Sequence, residues 1–183
     1  MKKIKYILTV VALVVLTAVL AVSVGAEEHG EVIDSGECGD NLTWVLYEDG
    51  LLEIDGTGEM ENYSSTYSNS SYYTTAPWGK HLSELKTLKL NEGILSIGED
   101  AFRGIGFTGS LIIPESVTSI GVRAFGQCSG FTGSLIIPNS VTSIEEQAFS
   151  GCSGFTGNLT IPDSVTLIGE WANRAFFHRN IFL

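Results

Sequence analysis

The chain has 183 residues, 44% of them hydrophobic, which suits one domain with a core or one domain with a small appendage. Asp and Glu number 21 against 10 Lys and Arg, giving a formal charge of -11 and a sequence pI near 4.6. That balance argues against nucleic-acid binding, which needs clustered Lys and Arg on phosphates.

Residues 1–26 read as a leader. Lys2, Lys3 and Lys5 form a positive start, Ile7 to Val24 is almost wholly apolar, and Val24-Gly25-Ala26 offers small residues before Glu27-Glu28. This is the pattern of a secretory signal peptide, so the mature chain is expected to be secreted or held at the cell surface. The apolar run is long, and an uncleaved anchor is the alternative. Membrane association is expected only through this segment. Its removal takes away three lysines and moves the charge from -11 to -14. No cysteine lies near the cleavage site, which argues against a lipid anchor.

Twelve acidic residues lie between Glu27 and Glu61, and no Lys or Arg occurs between Lys5 and Lys80. A solvated acidic face is the plain reading. Asp49, Glu53, Asp55 and Glu59 are oxygen donors of the type calcium takes, but the spacing of a calcium loop is missing and no metal site is assigned. Residues 27–84 form an N-terminal β module. Leu42, Trp44 and Leu46 alternate with Thr43, Val45 and Tyr47, then Glu48-Asp49-Gly50 signals a turn before Leu52 and Ile54. That is a β-hairpin, expected to cap the first coil of the repeats. "YSSTYSNSSYYTT" from Tyr63 to Thr75 has four tyrosines and no charge. It reads as a surface loop, and Tyr63, Tyr67, Tyr72 and Tyr73 make it a secondary candidate for protein or carbohydrate contact.

Residues 85–170 repeat. "GFTGSLIIPESVTSI" (Gly106 to Ile120) recurs as "GFTGSLIIPNSVTSI" (Gly130 to Ile144) and "GFTGNLTIPDSVTLI" (Gly154 to Ile168). A diverged first copy places Leu88-Lys89-Leu90 against Leu111-Ile112-Ile113, with steps of 23, 24 and 24 residues. Each L-x-I is expected to be a short strand with its outer two residues inward. Pro ends the strand. Val117, Val141 and Val165 are expected inside, with Ile120, Ile144 and Ile168, and so are the Ala-Phe pairs at 101–102, 124–125 and 148–149. One such unit cannot bury its apolar face, whereas stacked units bury a continuous core. The fold expected is a mainly β solenoid of about four coils.

The V-T-S-I-G-x-x-A-F core, the I-P-x-S-V lead-in and the period resemble BspA-like leucine-rich repeats, and "CGDNLTWVLYEDGLLEIDGTGEMENY" with "PWG" resembles the β module that often precedes them. The resemblance implies a surface scaffold associated with adhesion to host or matrix proteins and with cell–cell contact.

After Ile168-Gly169 the pattern degrades. Asn173 stands where Phe is expected, Ala175-Phe176 comes three residues late, and 171–183 is either a degenerate cap or a truncated tail. Cys128 and Cys152 share a column with Ile105, so an apolar rung is the simplest reading. Cys38 is left over, and an odd count argues against a disulfide scaffold. His29, His81 and His178 join no catalytic motif, so no catalytic residues, cofactor or enzymatic activity is expected. The outward positions of the L-x-I strands are Lys89, Ile112, Ile136 and Thr160, flanked by Ser110, Ser134 and Asn158. Two adjacent outward isoleucines mark this face as the candidate site for a protein or glycan partner on host, matrix or neighbouring cell. The alternative is a structural spacer, or a truncated fragment of a larger surface protein, with no ligand of its own.

Overall fold

The computed structural model describes residues 29–172, so the leader and the tail from Asn173 onward, Phe176 included, lie outside the described residues. In chain order the strands are β1 (Val32–Gly39), β2 (Leu42–Tyr47), β3 (Leu51–Gly56), β4 (Gly58–Glu59), β5 (Ser65–Ser68) and β6 (Ser71–Thr74), then β7 (Thr87–Leu90), β8 (Ile94–Ile97), β9 (Ser119–Ile120), β10 (Leu135–Ile136), β11 (Ser143–Ile144), β12 (Leu159–Thr160) and β13 (Leu167–Ile168). Among the described residues the single helical segment is a 3-10 turn at Pro77–His81, and no sheet closes into a barrel.

β2 and β3 form the expected hairpin, with Leu42, Trp44 and Leu46 buried and the turn closed by Gly50 N–H donating to Tyr47 C=O at 2.9 Å. β1, which the alternation did not reveal, adds an antiparallel strand on the outer edge. Its register breaks twice, and bulged edges resist further pairing. β3 also pairs in parallel with β7, the first repeat strand, so the N-terminal sheet runs into the repeats without interruption (β1-β2-β3-β7). β4 does the same for a second sheet, β4-β8-β9-β11-β13. In that sheet Ile97, Ile120, Ile144 and Ile168 pair in register.

The repeats stack because like residues meet like. Phe102, Phe125 and Phe149 are fully buried and parallel, at 5.3 Å and 5.4 Å between ring centroids. Trp78, from "PWG", continues the column beyond Phe102 at 5.2 Å and 16°. Its indole N–H donates to Ala101 C=O at 2.9 Å. A second aromatic column, Phe107, Phe131 and Phe155, is buried beside the first. The "GFTG" stretches, read from sequence only as turns, therefore also carry core. The residue before each Ala-Phe pair has a left-handed backbone: Asp100, Arg123 and Gln147 have φ of 50°, 52° and 55°. Side chains seldom adopt that region, and its recurrence shows the stacked units holding one geometry.

Two expectations fail at particular rungs. Leu111–Ile113 is not a strand, although its counterparts are; just before it, an isolated bridge pairs Gly109 with Phe131 of the next unit. The turn leading to it, Phe102 to Phe107, is one residue shorter than Phe125 to Phe131. Val165 and Ile168 are not fully inside. Ile168 is 47% exposed where Ile120 and Ile144 are fully buried, because no described unit stacks beyond β13.

Candidate functional site

The L-x-I side of the repeats presents three outward columns. Thr108, Thr132 and Thr156 form one, Ser110, Ser134 and Asn158 the second, and Ile112, Ile136 and Thr160 the third, all exposed. The alternation of extended backbone puts i, i+2 and i+4 on this side while Leu111, Ile113, Leu135, Ile137 and Leu159 point into the core. Ile112 is 75% exposed and Ile136 63%, at equivalent positions of consecutive units. None of these nine residues is charged, in a chain whose residues are 17% charged. Three of them brace the stack: Thr108 donates its hydroxyl to Lys86 C=O at 3.2 Å, and Asn158 N–H donates to Ser134 Oγ at 3.1 Å.

Lys89 differs from the other outward residues. Its ammonium donates to Glu53 Oε1 at 2.6 Å, and Asn91 donates to the same oxygen at 2.9 Å. Burial raises the Glu53 pKa, but these two donors outweigh it and leave the carboxyl below its ordinary value. The charge at this end of the face is thus neutralised within the fold.

The tyrosine-rich segment is a hairpin rather than a loop. Ser68 and Ser71 flank a two-residue turn whose Asn69 and Ser70 have φ of 48° and 64°, the left-handed pair that suits the twist of a tight hairpin. Its tyrosines divide. Tyr63 packs edge-on against Trp78 at 5.6 Å and is half-buried, which corrects its reading as a contact residue: its hydroxyl is shut off from water. Tyr72 lies under the Arg103 guanidinium, 4.0 Å from ring centroid to Cζ. Tyr67 and Tyr73 are exposed, Tyr67 with its ring 4.8 Å from that of Tyr72.

Arg103 belongs to a buried junction between the hairpin and the repeats. Asp100, almost fully buried, accepts from Arg103 Nη1 at 3.3 Å and Arg123 Nε at 3.1 Å, while Thr74 Oγ1 donates to its backbone carbonyl at 2.8 Å. Arg103 Nη1 also donates to Ser65 Oγ at 2.8 Å. Neither the hairpin nor this junction is visible in the repeat pattern, since the hairpin precedes the repeats and the junction depends on Asp100, Arg103 and Arg123, which the later units do not repeat.

The acidic quartet weighed for calcium is dispersed. Asp49 pairs with His29 at 2.8 Å and accepts Leu51 N–H, while Glu53 serves Lys89. Among the described residues no group of three or more His, Cys, Asp or Glu is placed to hold a metal ion, and no helix is long and apolar enough to cross a membrane. The three cysteines are buried free thiols. Cys128 and Cys152 each donate their S–H to the Phe carbonyl of the preceding unit, Phe102 and Phe125, at 3.0 Å. Burial pushes Cys38 and Cys152 up to about 12 and raises Cys128 as well, so none is a ready nucleophile.

The family model described as BspA type leucine rich repeat region matches residues 80–181, in six copies. No match occurs among curated proteins. A leucine-rich repeat protein from Eubacterium ventriosum ATCC 27560 is 27% identical in sequence, across 76% of this chain and 40% of its own, with a TM-score of 0.52. A leucine rich cell surface protein from Faecalibacterium prausnitzii A2-165 is 21% identical, across 76% and 46%, with a TM-score of 0.39. The chain spans less than half the length of either.

Proposed function

Because the chain belongs to the BspA-type leucine-rich repeat family, we propose that it is a secreted or surface-displayed protein that binds another protein through the strand face of its repeats. On this reading residues 1–26 are the leader and 27–84 a β module that caps the first coil. Residues 85–170 are a solenoid of about four coils, and 171–183 are a degenerate cap or a truncated tail. The mechanism is adhesion by a rigid surface, with no bond chemistry. The observation that carries it is the pair Ile112 and Ile136, exposed at equivalent positions of consecutive units on a face whose one charge among the described outward residues, Lys89, is paired with Glu53. Apolar surface grouped in this way is retained where it is covered by a partner. Tyr67 and Tyr73 on the hairpin are the secondary contact.

The test compares the parent with an Ile112→Glu, Ile136→Glu double variant on arrays of extracellular-matrix proteins and glycans, after circular dichroism has shown that both fold alike. Binding by the parent that the variant loses supports the strand face. Equal binding moves the site to the hairpin. Binding by neither favours the second reading, a structural spacer or a truncated fragment of a larger surface protein with no ligand of its own.

A further inference from the structure

The strand face is laddered at both ends and unlatched in the middle. β7 pairs with β3, and β10 pairs with β12. Between them lies Leu111–Ile113. Its counterparts in the next unit donate to the unit beyond: Leu135 N–H to Asn158 C=O at 3.0 Å and Ile137 N–H to Thr160 C=O at 3.1 Å. Leu111 and Ile113 make neither bond, and no backbone hydrogen bond joins Leu111–Ile113 to any described residue. The break is local. Thr108 N–H still donates to Lys86 C=O, and Thr132 N–H to Gly109 C=O, each at 2.8 Å. On the other side of the repeats the five-stranded sheet runs through every unit. Leu111 and Ile113 keep their side chains in the core, while Ile112 is the most exposed of the large apolar residues described.

The cause is legible in the chain. The second unit runs Cys128-Ser129-Gly130-Phe131, the first only Ile105-Gly106-Phe107. In the later units the glycine presses on the preceding rung: a side chain on Gly130 or Gly154 would collide with the carbonyl of Phe107 or Phe131. Gly106 faces open space. The Phe107 ring is correspondingly tilted 30° from Phe131, against 14° between Phe131 and Phe155.

We propose that Leu111–Ile113 is a seam at which the strand face opens independently of the rest of the fold, set by the one-residue-short turn between Phe102 and Phe107. The seam moves Ile112 while the opposite sheet acts as a spine. This inference stands whether or not the strand face binds a partner. Amide hydrogen exchange resolved by residue tests it on the full chain. Leu111 and Ile113 should exchange at least ~10-fold faster than Leu135 and Ile137, as expected of a locally opening segment within a stable fold. Equal protection of the two rungs overturns the proposal. Insertion of one Ser between Ile105 and Gly106 restores the longer turn and should bring Leu111 and Ile113 to within ~3-fold of Leu135 and Ile137. A folded insertion variant in which they remain fast also overturns it. Should the insertion prevent folding, deletion of Ser129 must transfer fast exchange to Leu135 and Ile137; a folded deletion variant that keeps them slow is equally fatal to the idea.

Discussion

Phe125 is the centre of the aromatic column, and its truncation gives the clearest measure of what holds the repeats together. It is fully buried, with Phe102 stacked on one side at 5.3 Å, Phe149 on the other at 5.4 Å, and Phe131 edge-on at 6.3 Å. Phe→Ala in a packed core costs about 3–5 kcal/mol. Each lost aromatic pair adds roughly 0.5–1.5 kcal/mol beyond area. Phe125→Ala therefore belongs at the upper end, about 5 kcal/mol, against a stability of roughly 5–15 kcal/mol for a whole domain. Urea unfolding followed by circular dichroism reads this directly. With a slope near 2 kcal/mol/M the midpoint should fall by about 2 M or more. Ile136→Ala, on an exposed residue of similar hydrophobicity, should move stability by no more than about 0.5 kcal/mol. A Phe125→Ala shift as small as that of Ile136→Ala, with unchanged slope, would show that the column does not hold the stack.

Three further outcomes are expected. All three thiols should resist a thiol-labelling reagent in the native protein at mildly alkaline pH and react stoichiometrically once unfolded; labelling of Cys128 or Cys152 in the native state would contradict their burial. Burial raises the Asp34 pKa, but Lys80 at 2.7 Å and His81 at 2.8 Å outweigh it and hold the carboxyl at about 2, below its ordinary 3.8. A depressed carboxyl contributes stability above its unfolded value that is lost as pH falls through the folded one. The melting temperature should therefore drop between pH 3.8 and about 2, and Asp34→Asn should flatten that limb; an unchanged slope would refute the assignment. Asp100→Asn keeps a residue that tolerates the left-handed backbone but removes the negative charge that Arg103 and Arg123 share and the second oxygen that accepts from Arg123 Nη2. It should cost about 2–3 kcal/mol, the low side for a buried pair because both arginines are partly exposed. A neutral result in chemical denaturation would show that the junction does not stabilise the fold.

Most of the repeat was readable because the repeat itself supplies the alignment. Leu, Ile, Val and Phe that return every 24 residues must share an environment, so Val117 and Val141, or Phe125 and Phe149, identify one another as core. The same logic reaches Phe107, Phe131 and Phe155, yet the flanking glycines gave "GFTG" the look of a turn; it is both, since the glycines let the chain pass close to the preceding Phe carbonyl. What occurs once was harder. Trp78 continues the aromatic column from a segment with no repeat around it, and β1 alternates too weakly to announce a strand because its bulges interrupt the period.

The candidate site divides along the same line. Outward placement of Ile112, Ile136 and Thr160 follows from period-two alternation and needs no long-range knowledge. The role of Tyr63 and Tyr72 does, because it depends on Trp78, Arg103 and the hairpin meeting in space. The seam falls between these cases. A 23-residue step beside two of 24 is visible in the sequence, but an indel of one residue can be absorbed in a turn or passed to a strand. Here the preserved Phe102–Phe125 stack fixes one end of the short turn and the buried Leu111 fixes the strand beyond it, so the shortfall reaches the backbone ladder rather than the core. Side-chain burial, at about 1.5–3 kcal/mol for each large apolar residue, outweighs a net backbone hydrogen bond of about 0.5–1.5 kcal/mol, and the ladder is what yields.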